Sequence, residues 1–226
     1  MTMVGYTTLT LANATPETKL YDKPFLCLNP FSKLVNVETQ GGLIVHEGAT
    51  CSRVRIGQYS SFGCYTFVSD TFKGCYCTFA SRVSVSAFSH PTDWLSIHEF
   101  QYRDVSNIYG DTIFEPGTNL LQNSEKVTHI GSDVWIGDNA VVGRDLTIGH
   151  GTIIGMGAVV VKDVEPYSIV VGNPGRTLRN RFDDCTVNEL LDLQWWQLSI
   201  SDMKGIDFRN VRGAIDEIKR RMDAKN

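Results

Sequence analysis

The amino-acid sequence predicts an all-β fold: a parallel β-helix of hexapeptide repeats with an inserted loop and a C-terminal α-helical cap. Three observations support this prediction. A six-residue periodicity runs through residues 130–165, glycines are concentrated there, and a long aperiodic stretch separates it from a weaker periodicity earlier in the chain. The chain has 226 residues, 20 of them glycine, and this length suits one repetitive domain.

The periodicity is strongest between Ile130 and Glu165. An aliphatic residue opens each of six consecutive hexapeptides, and a glycine follows it in five of them. Such a period fits neither a helix nor a simple strand and is typical of a parallel β-helix, in which three hexapeptides form one triangular coil. We expect the opening residues to point into the prism and the glycines to suit tight corners. The openers are Ile130, Ile136, Val142, Ile148, Ile154 and Val160.

A weaker six-residue spacing before this block predicts further coils over residues 38–86, after an N-terminal extension of residues 1–37. The two blocks are out of phase, so residues 86–129 are predicted to be an inserted loop. The β-helix domain would then cover residues 38–175, with C-terminal helices at 176–226. The loop contains too many large apolar anchors for disorder, which favours a functional role. These anchors are Trp94, Phe100, Tyr102, Tyr109 and Phe114.

The stacking of successive coils predicts which outward side chains lie above one another. Two of the three outward faces should be apolar, which favours self-association as a ring of three prisms. Alternatively, the C-terminal helices cover one of these faces. The predicted pairs are Trp135 over Ile153, Val141 over Val159, and Thr147 over Glu165.

Arg144 should lie over Lys162 at one corner of the prism. Two cations one rung apart repel each other unless they are solvated or face an anion. The pair is therefore either a solvated edge or a contact for a phosphate group.

The C-terminal region is predicted to be helical. Thr186 and Glu189 have the spacing of a capping box, and Trp195 and Trp196 should pack against the prism. A last helix is expected at about residues 211–222 because its apolar residues recur at helical spacing.

Composition and charge exclude several function classes. A net charge of −4 and a pI near 5.7 lack the basic surface of a nucleic-acid-binding protein. No apolar run is long enough to span a membrane, and no signal peptide is evident, so a cytoplasmic protein is expected. The histidines and cysteines lack the spacing of a metal site, which leaves no metal predicted and disfavours a metal-dependent β-helix hydratase.

The remaining catalytic candidates are histidines that act in acid–base chemistry, because no nucleophile elbow or phosphate-binding loop is present. His90 and His98 lie in the inserted loop and are the better candidates. His129 and His150 lie beside or within the repeat and are expected to be structural.

Several motifs are distributed over about residues 40–200: H-x-x-D-W-x-S at His90–Ser96, DVWIG at Asp133–Gly137, VVVKDV at Val159–Val164, GNP at Gly172–Pro174, RF at Arg181–Phe182, and DLQWW. Together they resemble the hexapeptide-repeat acyltransferases, and more closely the xenobiotic acetyltransferase branch with its chloramphenicol and streptogramin O-acetyltransferases. The resemblance implies a left-handed β-helix, a homotrimer with active sites between subunits, and acetyl-CoA bound along the prism.

The resemblance also implies roles for individual residues. His90 would be the general base, which takes the proton of an acceptor hydroxyl as its oxygen attacks the thioester of acetyl-CoA. The acceptor would be bound by Asp93, Trp94 and Trp135, although Asp93 alternatively orients His90 or caps a turn and Trp135 alternatively packs in the trimer. The coenzyme would contact backbone amides at Gly155, Gly157 and Ala158 and, nearer its nucleotide, Lys162, Asn173 and Pro174; Arg144 is added from the basic corner.

The expected function is therefore acetyl-CoA-dependent O-acetylation of a sugar or surface-polysaccharide precursor. Three alternatives remain open: an antibiotic O-acetyltransferase, an amino-sugar N-acetyltransferase, and a non-catalytic β-helix scaffold. A pure scaffold would not require the inserted loop with its H-x-x-D-W motif.

Overall fold

The structure is a computed structural model that describes residues 7–11, 26–29, 31–87, 90–120 and 126–224. These residues form a β-solenoid of parallel strands followed by helices. The strands are β1 (Thr7–Leu11), β2 (Leu26–Leu28), β3 (Lys33–Thr39), β4 (Leu43–Val45), β5 (Thr50–Ile56), β6 (Ser60–Phe62), β7 (Phe67–Lys73), β8 (Thr78–Phe79), β9 (Ser84–Val85), β10 (Thr128–Ile130), β11 (Trp135–Ile136), β12 (Val141–Val142), β13 (Thr147–Ile148), β14 (Ile153–Ile154), β15 (Val159–Val160), β16 (Ser168–Val171) and β17 (Arg176–Asn180).

The strands stack into three faces. Face 1 contains β2, β4, β6, β8, β11, β14 and β16. Face 2 contains the first halves of β3, β5 and β7, followed by β9, β12 and β15. Face 3 contains the second halves of β3, β5 and β7, followed by β10 and β13. The inserted loop therefore leaves the solenoid at the corner between face 2 and face 3, after β9, and returns at β10.

The observed register confirms two of the three predicted stacks. Trp135 lies beside Ile153 and Val141 beside Val159. The third predicted stack is wrong, because Ile148 pairs with Val164 and the Thr147 backbone N–H donates to the Asp163 side chain at 2.8 Å. The last coil is shorter than three hexapeptides at this point, so Asp163 occupies the place above Thr147 and Glu165 lies beyond it.

The earlier coils are one residue shorter than three hexapeptides. Cys27, Ile44, Ser61 and Thr78 stack on face 1 at intervals of 17 residues. Single residues in the left-handed conformation make the corner between face 2 and face 3, for example Asp70 at φ 42°. This shortening blurs the six-residue spacing, so the sequence pattern did not reveal the first strands. The parallel ladder begins at β2 and β3, before the predicted start at residue 38.

The glycines that follow the aliphatic openers serve close approach between coils. A Cβ on Gly131 would lie 2.6 Å from the backbone nitrogen of His150, and one on Gly137 would lie 2.7 Å from that of Met156. Neither glycine has a positive φ. The left-handed corner positions are held instead by residues such as Asp133 and Asn139.

The interior is one column of buried apolar side chains, which includes Ile56, Phe62, Phe79 and Ile136. Among the described residues, Lys73 is the one charged residue that is buried. It occupies an inward position between Ile56 and Ile130 in the stack, and its Nζ lies 4.1 Å and 4.3 Å from the ring centres of Phe62 and Phe79. Burial lowers the pKa of Lys73 to about 8.

The helices are α1 (Ser106–Tyr109) in the inserted loop, α2 (Asp184–Leu193) and α3 (Val211–Asp223), with 3-10 turns at Glu99–Gln101, Trp195–Gln197 and Ser201–Met203. The predicted cap at Thr186 is wrong: Asp183 caps α2 and accepts from the Thr186 N–H at 2.8 Å. Within the described ranges, no helix is long and apolar enough to cross a membrane.

The C-terminal region packs along the corner between face 3 and face 1. The Trp196 ring stacks on His150 with centroids 4.4 Å apart, and the Tyr76 hydroxyl donates to the Leu198 carbonyl at 2.6 Å. Trp195 and Trp196 are packing residues, as predicted. The antiparallel pairing of β17 with β16 ends the parallel ladder.

Candidate active site

The start of the inserted loop is anchored to the solenoid at Ser86. The Ser86 N–H donates to the Val142 carbonyl at 3.0 Å, and its own carbonyl accepts from the Ser69 hydroxyl at 2.7 Å. Arg144 reaches the same carbonyl at 3.4 Å and pairs with Asp70 at 2.9 Å. The loop that contains His90 therefore leaves the solenoid from a fixed point.

The imidazole of His90 is oriented by the loop itself. Its Nδ1 lies 2.7 Å from the Ile97 carbonyl oxygen and 3.2 Å from the Tyr102 hydroxyl. A carbonyl oxygen can only accept a hydrogen bond, so Nδ1 carries the proton in the neutral ring. Nε2 then holds the lone pair, and His90 is exposed, so this nitrogen can accept a proton from a bound molecule.

The neighbours of His90 in the motif behave differently from one another. No hydrogen bond joins Asp93 to His90 in the described part of the chain, and the group that contacts Nδ1 is the Ile97 carbonyl. Trp94 packs edge-on against Tyr102, with ring centroids 6.5 Å apart. His98 caps the 3-10 turn by accepting from the Phe100 N–H at 3.2 Å, which is a structural role.

The residues predicted to bind the coenzyme gather mostly at the corner between face 1 and face 2. The turn that contains Asn173 and Pro174 pairs with Val159, since Gly175 N–H donates to the Val159 carbonyl at 2.7 Å and Val159 N–H donates to the Gly172 carbonyl at 3.0 Å. Val159 follows Ala158 directly. The sequence prediction thus selected five residues that the fold brings together: Gly155, Gly157, Ala158, Asn173 and Pro174.

The chemistry of this corner differs from the prediction in one respect. The N–H groups of Gly155, Gly157 and Ala158 already donate to carbonyls of the solenoid, so the expected amide donors are occupied. The surface of this corner is open at Gly157, because a Cβ there would meet no atom within 4 Å.

Arg144 and Lys162 do not form the predicted basic pair in the structure. The Arg144 side chain is only 12% exposed and pairs with Asp70, whereas Lys162 is exposed to solvent. Burial alone would raise the pKa of Asp70, but hydrogen bonds and charges from Arg53 and Arg144 outweigh it and hold that pKa below its ordinary value. The Arg144 guanidinium is thus engaged by a carboxylate of the solenoid and anchors the loop.

Trp135 lies on the outward side of face 1 and is 46% exposed. Asp133, two residues earlier, pairs with Arg181 at 2.9 Å, and Arg181 also donates to the Gly151 carbonyl at 2.6 Å. The DVWIG and RF motifs therefore meet in one ion pair, which fixes the start of the C-terminal region. Burial raises the pKa of Asp133 despite this pairing.

A groove of about 600 Å³ follows the outward side of face 3. Its lining includes Arg55, Phe72, His129 and Thr147, and none of the predicted catalytic, acceptor-binding or coenzyme-binding residues. His90, the Ile97 carbonyl and Tyr102 form the His90 cluster. Within the described part of one chain, no hydrogen bond, ion pair or ring contact joins this cluster to the corner around Gly157.

Sequence reasoning missed two members of the His90 cluster. The Ile97 carbonyl is a backbone group, which residue identity does not reveal. Tyr102 was visible only as one of several aromatic anchors in the loop. Its spacing of 12 residues from His90 has no periodic meaning in a segment without regular structure.

Comparisons with known proteins agree with this fold. The bacterial transferase hexapeptide (six repeats) family matches residues 128–162. The chain is 31% identical over 183 residues to a chloramphenicol acetyltransferase of Escherichia coli, with 72% of this chain and 84% of that protein covered. It is 36% identical over 139 residues to a probable macrolide acetyltransferase of Lysinibacillus sphaericus, with 60% and 74% covered.

The fold is also similar to that of a variant of AntD, an N-acyltransferase from Bacillus cereus crystallised with dTDP and coenzyme A. The TM-score is 0.57 at 18% identity, and the match covers 81% of this chain and 98% of that one. The acetyltransferase relatives show that the chain is an enzyme of the acyltransferase class. The chain belongs to the hexapeptide-repeat acyltransferases, in their xenobiotic acetyltransferase branch.

Proposed function

We propose that the chain is a cytoplasmic, acetyl-CoA-dependent O-acetyltransferase that acetylates a hydroxyl of a sugar or surface-polysaccharide precursor. His90 is the general base. Its Nε2 takes the proton of the acceptor hydroxyl while the oxygen attacks the thioester carbonyl. When the C–S bond breaks, this proton passes from Nε2 to the thiolate, and coenzyme A leaves as the thiol. The observation that carries the proposal is the contact between His90 Nδ1 and the Ile97 carbonyl, 2.7 Å, because it makes Nε2 the basic nitrogen.

The coenzyme is proposed to lie along face 2. Gly157 and Ala158, with Asn173 and Pro174 beside them, line one corner of this face, and Lys162 lies at the other. Lys162 is the cation we assign to the phosphates, since Arg144 is paired with Asp70. No metal is required by this chemistry.

The acceptor pocket is assigned to Trp94, Asp93 and Trp135. An antibiotic hydroxyl is the second candidate acceptor, and it is favoured by relatives that are named chloramphenicol and macrolide acetyltransferases. Exposed aromatic rings such as Trp94 suit the apolar face of a sugar ring and the aryl group of a drug alike.

We also propose a homotrimer. Trp135 and Val141 lie on two adjacent outward faces and are 46% and 38% exposed, and Leu95 on the loop is fully exposed. A closed ring would bury these surfaces and would bring the His90 cluster of one subunit to face 2 of the next. A monomer at working concentration in light scattering would contradict this assembly.

The function is tested by release of the coenzyme A thiol from acetyl-CoA with a panel of neutral sugars, amino sugars, chloramphenicol and a macrolide. We expect release with a neutral sugar. Release with the antibiotics alone selects the second candidate, and release with amino sugars alone indicates N-acetylation. If nothing is acetylated and acetyl-CoA does not raise the unfolding temperature, the chain is a scaffold.

A further inference from the structure

Among the described residues of the inserted loop, Tyr102 is the least exposed aromatic residue. It is 9% exposed, although the loop around it presents Leu95 and Ile97 to solvent. Its N–H donates to the Glu99 carbonyl at 3.1 Å, and its carbonyl accepts from the Leu120 N–H at 2.6 Å. The backbone of Tyr102 is therefore hydrogen-bonded through both its N–H and its carbonyl. Trp94 packs edge-on against the Tyr102 ring.

The Tyr102 hydroxyl lies 3.2 Å from His90 Nδ1, on the same side of the imidazole as the Ile97 carbonyl. Because the carbonyl only accepts, the single Nδ1–H faces two oxygen atoms, and the Tyr102 oxygen is the second acceptor. This contact lies on the side of the ring opposite the basic nitrogen, so Tyr102 does not need to touch either substrate.

This arrangement becomes stronger during the reaction. When Nε2 takes a proton, the ring becomes an imidazolium and Nδ1–H becomes a charged donor. Hydrogen bonds to charged donors are about twice as strong as neutral ones. A second oxygen at Nδ1 therefore stabilises the charged ring more than the neutral ring, which lowers the barrier without tightening ground-state binding.

We infer that Tyr102 is a positioning residue for His90: its hydroxyl, with the Ile97 carbonyl, fixes Nδ1–H so that Nε2 is presented to the acceptor hydroxyl. The inference rests on the proposed function of His90. It assigns a part of the site that neither the motif H-x-x-D-W nor the repeat identifies.

The test is Tyr102→Phe, which keeps the ring and its packing on Trp94 and removes one oxygen atom. The matched control is Tyr109→Phe, on the same loop, whose hydroxyl contacts Glu99 at 3.4 Å and not His90. We expect kcat to fall about tenfold in Tyr102→Phe, the size of one hydrogen bond to a charged group. The KM values for acetyl-CoA and acceptor should stay within about twofold, and Tyr109→Phe should match wild type.

A double variant separates positioning from a structural role. In a His90→Ala background, Tyr102→Phe should cause no further loss of kcat, because its effect acts through the imidazole. An equal loss with and without His90, a rise in KM in place of a fall in kcat, or an equal loss in Tyr109→Phe would overturn the inference.

A spectroscopic readout does not depend on turnover. The Nδ1–H proton resonance of His90, identified by its absence in His90→Ala, should move or exchange faster with water in Tyr102→Phe and stay in place in Tyr109→Phe. An unchanged resonance overturns the inference even if kcat falls. A changed resonance in a protein that acetylates nothing supports the contact and rejects the proposed function instead.

Discussion

The regular coils and the inserted loop are stabilised in different ways. In the coils, side chains such as Ile136 and Ile154 are fully buried, and parallel backbone hydrogen bonds join each strand to the next coil. The described residues of the loop contribute nothing to the solenoid core: Leu95 is fully exposed and Ile97 is 68% exposed. Individual hydrogen bonds order the loop. The Asp104 carboxylate, for example, accepts from the Gly117 and Ser106 N–H groups, and these bonds lower its pKa to about 2.

Because of this difference, the role of a residue is determined differently in the two regions. In the coils, a residue's role follows from its place in the stack, because the same place recurs in every coil. In the loop, a role depends on one contact, as with His90 and the Ile97 carbonyl. Substitutions in the coils should therefore change stability first, and substitutions around His90 should change catalysis first.

The largest expected effect is in the coils, at Gly149. A Cβ there would overlap the backbone nitrogen of Pro166 in the next coil, so the backbone would have to shift. We expect Gly149→Ala to lower the free energy of unfolding by about 4 kcal/mol, measured by urea denaturation. The control in the loop is Gly117→Ala, where a Cβ meets nothing within 4 Å and only the positive φ costs about 1 kcal/mol. Equal losses would show that the two regions do not differ.

At Lys73, a substitution in the coil core should raise the free energy of unfolding, in contrast to Gly149→Ala. Replacement by Ile, the residue that precedes and follows it in the stack, should stabilise the protein. A pKa lowered from 10.5 to about 8 corresponds to roughly 3 kcal/mol.

The direction of the Lys73 pKa shift determines how its effect on stability depends on pH. The folded pKa lies below the unfolded one, so the penalty is fully present below about pH 8 and disappears as the pH rises toward 10.5. The stability difference between Lys73→Ile and wild type should therefore shrink over this range. A difference that does not change with pH would mean that Lys73 is not buried as a titrating amine.

Arg144 and Lys162 are expected to have different roles, one in stability and the other in coenzyme binding. Arg144→Gln should lower the free energy of unfolding by about 2 kcal/mol, because it leaves a largely buried Asp70 with one partner fewer. Its KM for acetyl-CoA should stay near wild type. Lys162→Gln should raise that KM severalfold and leave unfolding unchanged. The opposite pattern would return the coenzyme phosphates to Arg144.

The smallest structural effect is expected at Gly157. Asn139 occupies the equivalent corner one coil earlier with φ 58°, close to the 67° of Gly157. Gly157→Asn should therefore fold normally and obstruct the proposed coenzyme surface, which weakens acetyl-CoA binding measured by calorimetry. The reverse change, Asn139→Gly, is the control and should leave binding unaltered. Unaltered binding in both variants would remove Gly157 from the coenzyme site.

The sequence predicted the periodic part of the fold well. The stacks of Trp135 with Ile153 and Val141 with Val159 follow from spacing alone, because each hexapeptide repeats the same geometry. The prediction missed Thr147 and Asp163, since a shortened coil changes the register without changing the pattern of apolar residues. The left hand of the helix stays a prediction.

The site was predictable only where a motif marks it. His90 was found through its motif, but Asp70 and Arg144 are 74 residues apart and their ion pair has no periodic signal. The Ile97 carbonyl depends on the path of an irregular loop. Long-range side-chain pairs and backbone contacts in irregular segments are therefore what the sequence could not supply.

In the proposed function, His90 is the base that activates the acceptor. The direct measurement is the rate of coenzyme A release for wild type, His90→Ala and His98→Asn, with acetyl-CoA binding measured on each. His98→Asn removes the other imidazole of this segment and keeps a residue that can cap the 3-10 turn. We predict a loss of about 10² to 10⁴ in kcat for His90→Ala alone, with coenzyme binding retained. Equal rates for His90→Ala and wild type would contradict it.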